Sequence, residues 1–432
     1  MDILIAAALV VILLAFLAGG VWIGLALAAV GYAGMLAFTP RSPGDAMAVT
    51  IWGAGSGWTL TALPLFLWMG EILFRTRLSE DMFKGLSPWL EALPGRLLHT
   101  NIIGCTIFAA VSGSSAATCA TIGKITLPEL KKRGYPDHMA LGTIAGAGTL
   151  GLLIPPSIIM IVYGVTAEVS IAKLFIGGVL PGLLLAGLFM GWVMLWALRH
   201  PEQVPPISER TTLAQKIAAS KNLIPIVLLI AAVLGSIYAG IATATEAAGL
   251  GVVGSLIIAV AQRSLNWNTF RDSLMGATRL YCMIALILAG SAFLTLAMGY
   301  IGLPRQLAEF VSGLGLSPGM LLIVLTFFFI LLGCFLDGIS MVVLTMAVLL
   351  PTVQAAGIDL IWFGIFVVLV VEMAQITPPV GFNLFVLQGM TGRQITEIAR
   401  YATPYFGLMS LAVAITYWFP GIITWLPSQM VR

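Results

Sequence analysis

The sequence predicts an all-α, polytopic membrane protein made of two inverted repeats, each with a re-entrant helical hairpin and a broken helix. Three observations lead to this fold class: the composition, recurring apolar runs, and Gly and Pro positions that recur at a constant offset. Hydrophobic residues make up 59% of the 432 and charged residues only 9%. Soluble globular proteins carry about 25% charged residues, so the composition excludes a soluble globule.

Apolar runs recur along the whole chain, and most are near the roughly 20 residues that a membrane-spanning helix requires. They predict about a dozen membrane-embedded segments. The runs are 3–18, 21–38, 60–74, 174–198, 223–240, 246–261, 280–298, 319–336 and 360–376. The first run follows an aspartate rather than a basic region, and a second run comes directly after it. We therefore expect a retained first helix, not a signal peptide.

The longest polar stretch, residues 199–221, divides the chain into nearly equal halves and is predicted to be a linker. It contains four basic residues (Arg199, Arg210, Lys216, Lys221) and two acidic residues (Glu202, Glu209), and four minus two leaves a net charge of +2. The positive-inside rule then predicts a cytoplasmic linker. Residues 1–198 are assigned to a first repeat and residues 222–432 to a second.

Several Leu, Gly and Pro residues of the first half recur 223 positions later, as Pro351 follows Pro128. The matches are Leu127-Pro128 with Leu350-Pro351, Gly134 with Gly357, and Pro155-Pro156 with Pro378-Pro379. Gly and Pro constrain backbone shape, so these matches predict a duplicated backbone with diverged side chains. Residues 131–133 are Lys-Lys-Arg, whereas residues 354–356 are Gln-Ala-Ala. This charge difference places the two loops on opposite sides of the membrane and predicts inverted repeats.

A stretch of small and polar residues precedes each prolyl pair: VSGSSAATCATIG at 111–123 and GCFLDGISMVVLT at 333–345. The apolar segments on either side of each Leu-Pro are too short to cross a hydrocarbon layer of about 30 Å. They predict re-entrant hairpins at about 105–132 and about 328–356, within repeats whose remaining helices form a scaffold.

The prolyl pairs predict broken helices at about 139–164 and about 360–390. Proline inside a helix costs about 3 kcal/mol because it removes a hydrogen bond and clashes with the preceding turn. Upstream carbonyls should lose their helical partners, namely those of Gly148, Thr149, Gly151 and Leu152. Carbonyl and hydroxyl oxygens suit a small cation, and exposed helix N-termini suit a carboxylate. Two hairpin-plus-break units thus predict a site for Na⁺ and an anionic solute.

Close packing is the alternative interpretation of the small residues, and simple kinking is the alternative for the prolines. Acids in apolar surroundings are a sharper signal, because an unpaired charge there is expensive. Asp337 is the best candidate for cation coordination or charge balance, and Glu372 is a candidate for orienting a broken loop. Glu246 and Glu71 are interpreted as helix-terminal or interfacial. The histidines lie beside charged loops, which favours snorkelling or solvated roles over metal ligation: His99, His138 and His200.

The run GSSAATCATIGKITLPELKKRGYPDHMALGTIAGAGTLGLLIPPSIIMIVYG at 113–164 closely resembles the large membrane subunit of the tripartite ATP-independent periplasmic (TRAP) transporters, the DctM-like family. The resemblance covers nearly the whole chain, with further matches in ALPLFLWMGEIL at 62–73, ATEAAGLGVVGSL at 244–256 and EMAQITPPVGFNLFV at 372–386. It implies an elevator-type transporter, in which a transport domain holding both hairpins and both broken helices slides past a fixed scaffold.

The resemblance also implies the activity and the partners. Such subunits import organic acids with Na⁺ in the bacterial inner membrane, and they receive solute from a periplasmic substrate-binding protein. They work with a small four-helix membrane subunit, which we expect to be a separate chain here, because four additional N-terminal helices of fused forms are missing. Na⁺ is the coupling ion, and no other cofactor and no transition metal is implied.

Carried over by motif, the resemblance implies three groups of site residues. The first sodium site would use Ser114, Ser115, Gly148, Thr149, Gly151 and Pro155. The second sodium site would use Asp337, Gly338, Ala374 and Thr377. The solute would lie near Ser115, Thr118, Ser340 and Asn383. One departure is that many members have an acid where this chain has Thr118, which leaves the ion stoichiometry and the solute preference open.

Other functions predict different features. A stand-alone carrier of similar inverted-repeat architecture would need no binding protein and is the nearest alternative. An intramembrane enzyme would need a catalytic set in its helices, whereas Asp337 has no intramembrane aspartate partner. A passive channel rarely needs two inverted broken units. The solute stays open among four-carbon dicarboxylates, keto acids, sugar acids and compatible solutes.

Overall fold

The computed structural model describes residues 2–206, 211–379 and 381–430, and all regular structure in these ranges is helical. This confirms the predicted all-α class, and each apolar run named above lies mainly on helical residues. Residues 207–210 of the predicted linker, which include Glu209 and Arg210, lie outside the described residues.

The first half supplies the helices up to the linker. They are α1 (Asp2–Ala18), α2 (Ile23–Phe38), α3 (Pro43–Gly55), α4 (Ala62–Phe74), α5 (Leu78–Leu90), α6 (Leu98–Ser112), α7 (Ser115–Lys132), α8 (Asp137–Gly148), α9 (Leu150–Leu153), α10 (Ile158–Thr166) and α11 (Ile171–Arg199).

The linker contains a short helix, and the second half follows it. The helices are α12 (Leu213–Ser220), α13 (Ile224–Tyr238), α14 (Ala244–Ala261), α15 (Trp267–Ile301), α16 (Leu303–Gly313), α17 (Pro318–Leu332), α18 (Gly338–Ala355), α19 (Leu360–Gln375), α20 (Phe382–Thr391), α21 (Ile395–Trp418) and α22 (Gly421–Ser428). The linker helix packs against α5, where the Trp89 indole donates to the Ser220 hydroxyl at 2.9 Å.

Six helical stretches among the described residues are long and apolar enough to cross a membrane: Asp137–Thr166, Ile171–Arg199, Leu213–Tyr238, Ala244–Ala261, Trp267–Ile301 and Ile395–Trp418. The pair Pro43–Gly55 and Trp58–Phe74 reaches that length only as a unit bent by 55°. Helices α6 and α17 are apolar but have only 15 residues each, short of the roughly 20 that a span requires.

The first hairpin turns at Gly113 and Ser114, between α6 and α7. Gly113 has φ +60°, a left-handed conformation that favours glycine, and Ser114 returns to extended backbone. The Ser114 hydroxyl then accepts from the Ala117 amide at 3.4 Å and caps α7. The helix before the turn begins at Leu98, earlier than the predicted start at about 105. The turn that contains Gly95, a glycine with positive φ, ends just before Leu98, and the helix starts directly after it.

Helices α17 and α18 are joined at residues 333–337, and an acid caps α18. Unlike α6 and α7, these two helices are not packed closely on each other, so the re-entrant form of the second hairpin stays a prediction. The Asp337 carboxylate accepts from the Ile339 amide at 3.1 Å and from the Ser340 amide at 3.4 Å. The helix before the turn begins at Pro318, earlier than the predicted start at about 328. A serine cap and a proline at the first helical position explain that start, since both favour helix N-termini.

Each hairpin packs against the broken helix of the other half. Helix α7 contacts α20, helix α18 contacts α10, and α9 contacts α19 directly. The broken helices lie deepest: α19 is buried from Trp362 to Gln375, and the most apolar part of Asp137–Thr166 is entirely buried. Non-helical backbone at membrane depth persists only in such surroundings or along a cavity. The core therefore surrounds the two prolyl breaks.

Outside that core, α2 and α15 form a close helix pair through glycines. A Cβ atom added at Gly24 would lie 2.5 Å from the Leu286 carbonyl oxygen, and one at Gly290 would lie closer still to the Gly24 carbonyl. Small residues permit this approach of two backbones, as is typical of helix interfaces in membranes.

Substituting Gly290→Ala should push α2 and α15 apart and destabilise the protein, because overpacking typically costs about 1–3 kcal/mol. Gly299→Ala on the same helix is the matched control, since a Cβ there meets open space. We expect a lower unfolding temperature in detergent for Gly290→Ala alone. An equal effect of both substitutions would contradict the close packing of α2 on α15.

Candidate functional site

The first break separates α9 from α10 at two prolines whose shared peptide bond is cis, as is that of the second prolyl pair. Pro155 and Pro156 have no amide hydrogen, so the carbonyls of Gly151 and Leu152 have no donor four residues later. The sequence predicts both carbonyls to be free of helical partners. They provide oxygen atoms inside the buried core.

The tip of the first hairpin lies on this break. A Cβ added at Gly151 would be 2.6 Å from the Ser114 carbonyl oxygen and 2.7 Å from the Ser115 Cα. The Ile158 amide, after the break, donates to the Gly113 carbonyl at 3.3 Å. The structure thus brings together Ser114, Ser115 and Gly151 of the predicted first sodium site, and Pro155 belongs to the same break.

The other two predicted members of that site lie one turn upstream. The Thr149 hydroxyl donates to the Gly146 carbonyl at 2.6 Å, so it is engaged within its own helix. Gly148 instead faces Cys119 and Asn383, the latter a predicted solute residue, because a Cβ there would be 2.9 Å from the Cys119 Cβ and 3.1 Å from the Asn383 Nδ2.

The second break follows α19 and lies beside the tip of the second hairpin. A Cβ at Gly338 would meet the Gln375 Nε2 at 3.2 Å, and one at Gly333 would contact Ala374. Thr377 stays tied to its own helix, with its amide donating to the Ala374 carbonyl at 3.1 Å and its hydroxyl to the Met373 carbonyl at 2.7 Å. The structure thus places Gly338 beside Gln375 and Gly333 beside Ala374, while a contact of Asp337 with Ala374 or Thr377 stays a prediction.

The predicted solute residues are buried but differ in how they are bonded. Thr118 shares a hydrogen bond of 2.7 Å with the Ser112 hydroxyl, and Ser340 donates to the Asp337 carboxylate. Asn383 is fully buried, and neither atom of its amide group has a hydrogen-bond partner among the described residues. A buried unpaired amide is rare in native proteins, so Asn383 is the solute candidate with free bonding capacity.

Glu372 is the group whose position the sequence does not reveal. Its side chain is fully buried, and its Oε1 accepts from the Ser115 hydroxyl and from the Leu152 amide, the latter at 3.1 Å. The sequence predicts a role at the prolyl break of its own half, yet these contacts lie at the break of the first half. The only sequence signal for Glu372 is its place as an acidic residue within an apolar run, six residues before Pro378.

The interpretation of His99 as solvated is wrong. The imidazole is fully buried, and its Nε2 lies 2.7 Å from the Pro94 carbonyl oxygen. The loop before α6 folds back over the imidazole ring. The charged residues nearby in the sequence suggested an exposed ring and gave no sign of this fold-back. Glu246 is helix-terminal as predicted, because it forms a capping box with Thr243 at the start of α14.

Residues 10–422 match the family model described as "Tripartite ATP-independent periplasmic transporter, DctM component". The chain is 32% identical to the C4-dicarboxylate TRAP transporter large permease protein DctM of Pseudomonas aeruginosa, over 92% of each chain. It is 30% identical to the ectoine/5-hydroxyectoine TRAP transporter large permease protein UehC of Ruegeria pomeroyi, over 85% of this chain and 86% of the relative. It is also 32% identical to the isethionate TRAP transporter permease protein DctMQ of Oleidesulfovibrio alaskensis, over 84% of this chain and 57% of the relative.

Two solved structures share the fold at low sequence identity. The YdaH transporter of Alcanivorax borkumensis superposes with a TM-score of 0.62 at 13% identity, over 87% of this chain and 88% of the other. The antimetabolite efflux pump MtrF of Neisseria gonorrhoeae superposes with a TM-score of 0.54 at 13% identity, over 86% and 82%. At this identity the likeness shows the architecture alone.

Substituting Asp337→Ala should destabilise the second hairpin, because loss of a helix N-cap costs about 1 kcal/mol. Asp337→Ser should recover most of that stability, since serine caps the equivalent helix at position 114. Thermal unfolding in detergent measures both. If alanine and serine were equally destabilising, the carboxylate would have a role at this position other than capping the helix.

Proposed function

The chain belongs to the DctM family of TRAP transporter large permeases, and from that premise we propose that it is a sodium-coupled secondary transporter that imports a small organic anion. A periplasmic substrate-binding protein delivers the solute, and a small four-helix membrane subunit completes the complex. The chain is a multi-pass protein of a bacterial inner membrane. It carries the translocation path and no catalytic group.

One observation carries this proposal. The two hairpin helices begin at equivalent positions, with caps at Ser114 and Asp337, and each start lies against a broken helix. The separation of 223 residues is the one that relates the prolyl pairs. Helix N-termini present amides to an anionic group, while hydroxyl, carboxylate and freed carbonyl oxygens suit Na⁺. The starts of α7 and α18 therefore offer groups that suit both ligands of a symporter, the Na⁺ ion and the anionic solute.

The contacts support an assignment of residues to each ligand. The first Na⁺ binds at Ser114, Ser115 and Gly151, with the backbone of Gly148, Thr149 and Pro155 completing the loop. The second binds at Asp337, Gly338, Ala374 and Thr377. The solute lies between the hairpin tips, with Asn383 as the group that has free donors and acceptors, beside Ser115, Thr118 and Ser340.

The packing of each hairpin on the opposite half supports two inverted repeats that share one transport domain. That domain comprises α6–α10 and α17–α20, whose mutual contacts include α7 with α20 and α18 with α10. Movement of this unit past the scaffold helices would carry both sites together, which is an elevator mechanism. The relatives are named for three different solutes, so family membership does not select one.

Reconstitution tests the proposed coupling. Proteoliposomes containing this chain, its small subunit and the cognate binding protein loaded with its solute should accumulate that solute when an inward Na⁺ gradient is imposed. The matched control imposes a K⁺ gradient of the same size. Equal uptake under the two gradients would contradict sodium coupling.

Omitting the binding protein from the same assay tests the partner. We expect uptake to fall to background at low solute concentration, because the chain then has no source of captured solute. Full uptake without the binding protein would identify a stand-alone carrier of the same architecture.

Asp337→Ser separates helix capping from cation binding in the assay. The serine keeps the cap of α18 but removes the negative charge, so the variant should fold, and the Na⁺ concentration for half-maximal uptake should rise about tenfold or more, equivalent to about 1.4 kcal/mol of lost binding. An unchanged Na⁺ dependence would remove Asp337 from the second sodium site.

A further inference from the structure

Glu372 brings a carboxyl group of the second half to the predicted first sodium site. It contacts Ser115, the first residue of α7, and Leu152, next to Gly151. Its position is 223 residues after Thr149, so it occupies on the second broken helix the place that a threonine occupies on the first. The two halves are therefore chemically unequal at this point.

The bonding of Glu372 is incomplete. Both of its hydrogen bonds end on Oε1, while Oε2 is buried and has no hydrogen-bond partner in the part of the chain that the structure describes. None of the ion pairs found there includes Glu372. If the Glu372 carboxyl is ionised, Oε2 needs a hydrogen-bond donor or a cation. If the proton is on Oε2, the hydroxyl needs a hydrogen-bond acceptor. A buried charge at membrane depth is expensive unless it is paired.

A cation at the first sodium site would supply the missing partner. The hydroxyls and carbonyls assigned there are neutral, so without Glu372 the site would have no negative charge. We propose that Glu372 is the charged ligand of the first sodium site. The second half of the chain thus contributes a carboxylate to a site whose other residues belong to the first half. This inference rests on the proposed sodium coupling. It gives each of the two sites one carboxylate, Asp337 in the second and Glu372 in the first.

Sodium binding to the purified complex tests this inference without a transport assay. A ligand that binds only the folded protein raises the unfolding temperature as its concentration increases. Unfolding is measured across a series of NaCl concentrations, with KCl keeping the total salt constant. The variant is Glu372→Gln, whose amide oxygen still accepts from Ser115 and Leu152 but carries no charge. The matched control is Glu309→Gln, which neutralises an exposed carboxylate on α16.

Across the NaCl series, the rise in unfolding temperature should be clearly smaller in Glu372→Gln, where only the second site still responds, and unchanged in Glu309→Gln. In the Asp337→Ser variant, the remaining Na⁺-dependent rise in unfolding temperature is due to the first site. Adding Glu372→Gln to that variant should abolish this rise. If Glu372 only held Ser115 and Leu152 in place, glutamine would preserve the Na⁺ response, and the inference would be overturned.

The outcome also separates this inference from the proposed function. If the wild-type complex shows no Na⁺-specific stabilisation, sodium coupling and the role of Glu372 both fail. If the wild type responds and Glu372→Gln responds identically, only the role of Glu372 fails. Should the glutamine variant unfold, Glu372→Asp provides the comparison: it keeps the charge but shortens the side chain, and an unaltered Na⁺ response would overturn the inference.

Discussion

A backbone carbonyl without a partner is far less tolerable inside a membrane than in water, because hydrocarbon offers no hydrogen bonds. The prolyl pairs remove amide donors within the buried core, at the first break those that would meet the carbonyls of Gly151 and Leu152, and the rest of the structure is arranged around the two breaks. The most completely buried segments are those that contain the breaks. Short hairpin helices, close glycine contacts and capping side chains all bring polar groups to these two places.

Glycine and capping residues have complementary roles in this arrangement. Gly151 lets the tip of the first hairpin reach the backbone of the break, and Gly338, at the start of α18, packs closely against the side chains of Val371 and Ile159. Ser114 and Asp337 end the turns and set the direction of α7 and α18. Rigid termini held against irregular backbone form a preorganised group of oxygens and amides, which suits ligands that must bind and leave repeatedly.

Much of this arrangement is local and could be predicted from the sequence. Helix class, the hairpin turns and the breaks depend on hydrophobic runs, Gly and Pro, whose effects act over a few residues. Two features were not predictable in this way. Glu372 meets Ser115 and Leu152 only because the distant helices α19 and α9 pack together. His99 is buried because the loop that contains Pro94 folds over its ring, a loop conformation that hydrophobic patterns do not specify. Periodicity and composition carry no information about such contacts, so the sequence suggested importance for Glu372 without its location.

The contacts between the two halves have a consequence for biosynthesis. During translation α7 and the first break emerge well before α19 and α20, which provide Glu372 and the helix that packs against α7. Until those later segments insert, Ser115 and the Leu152 amide lack their carboxylate acceptor. The contacts around the first break can therefore be completed only when nearly the whole polypeptide has been made.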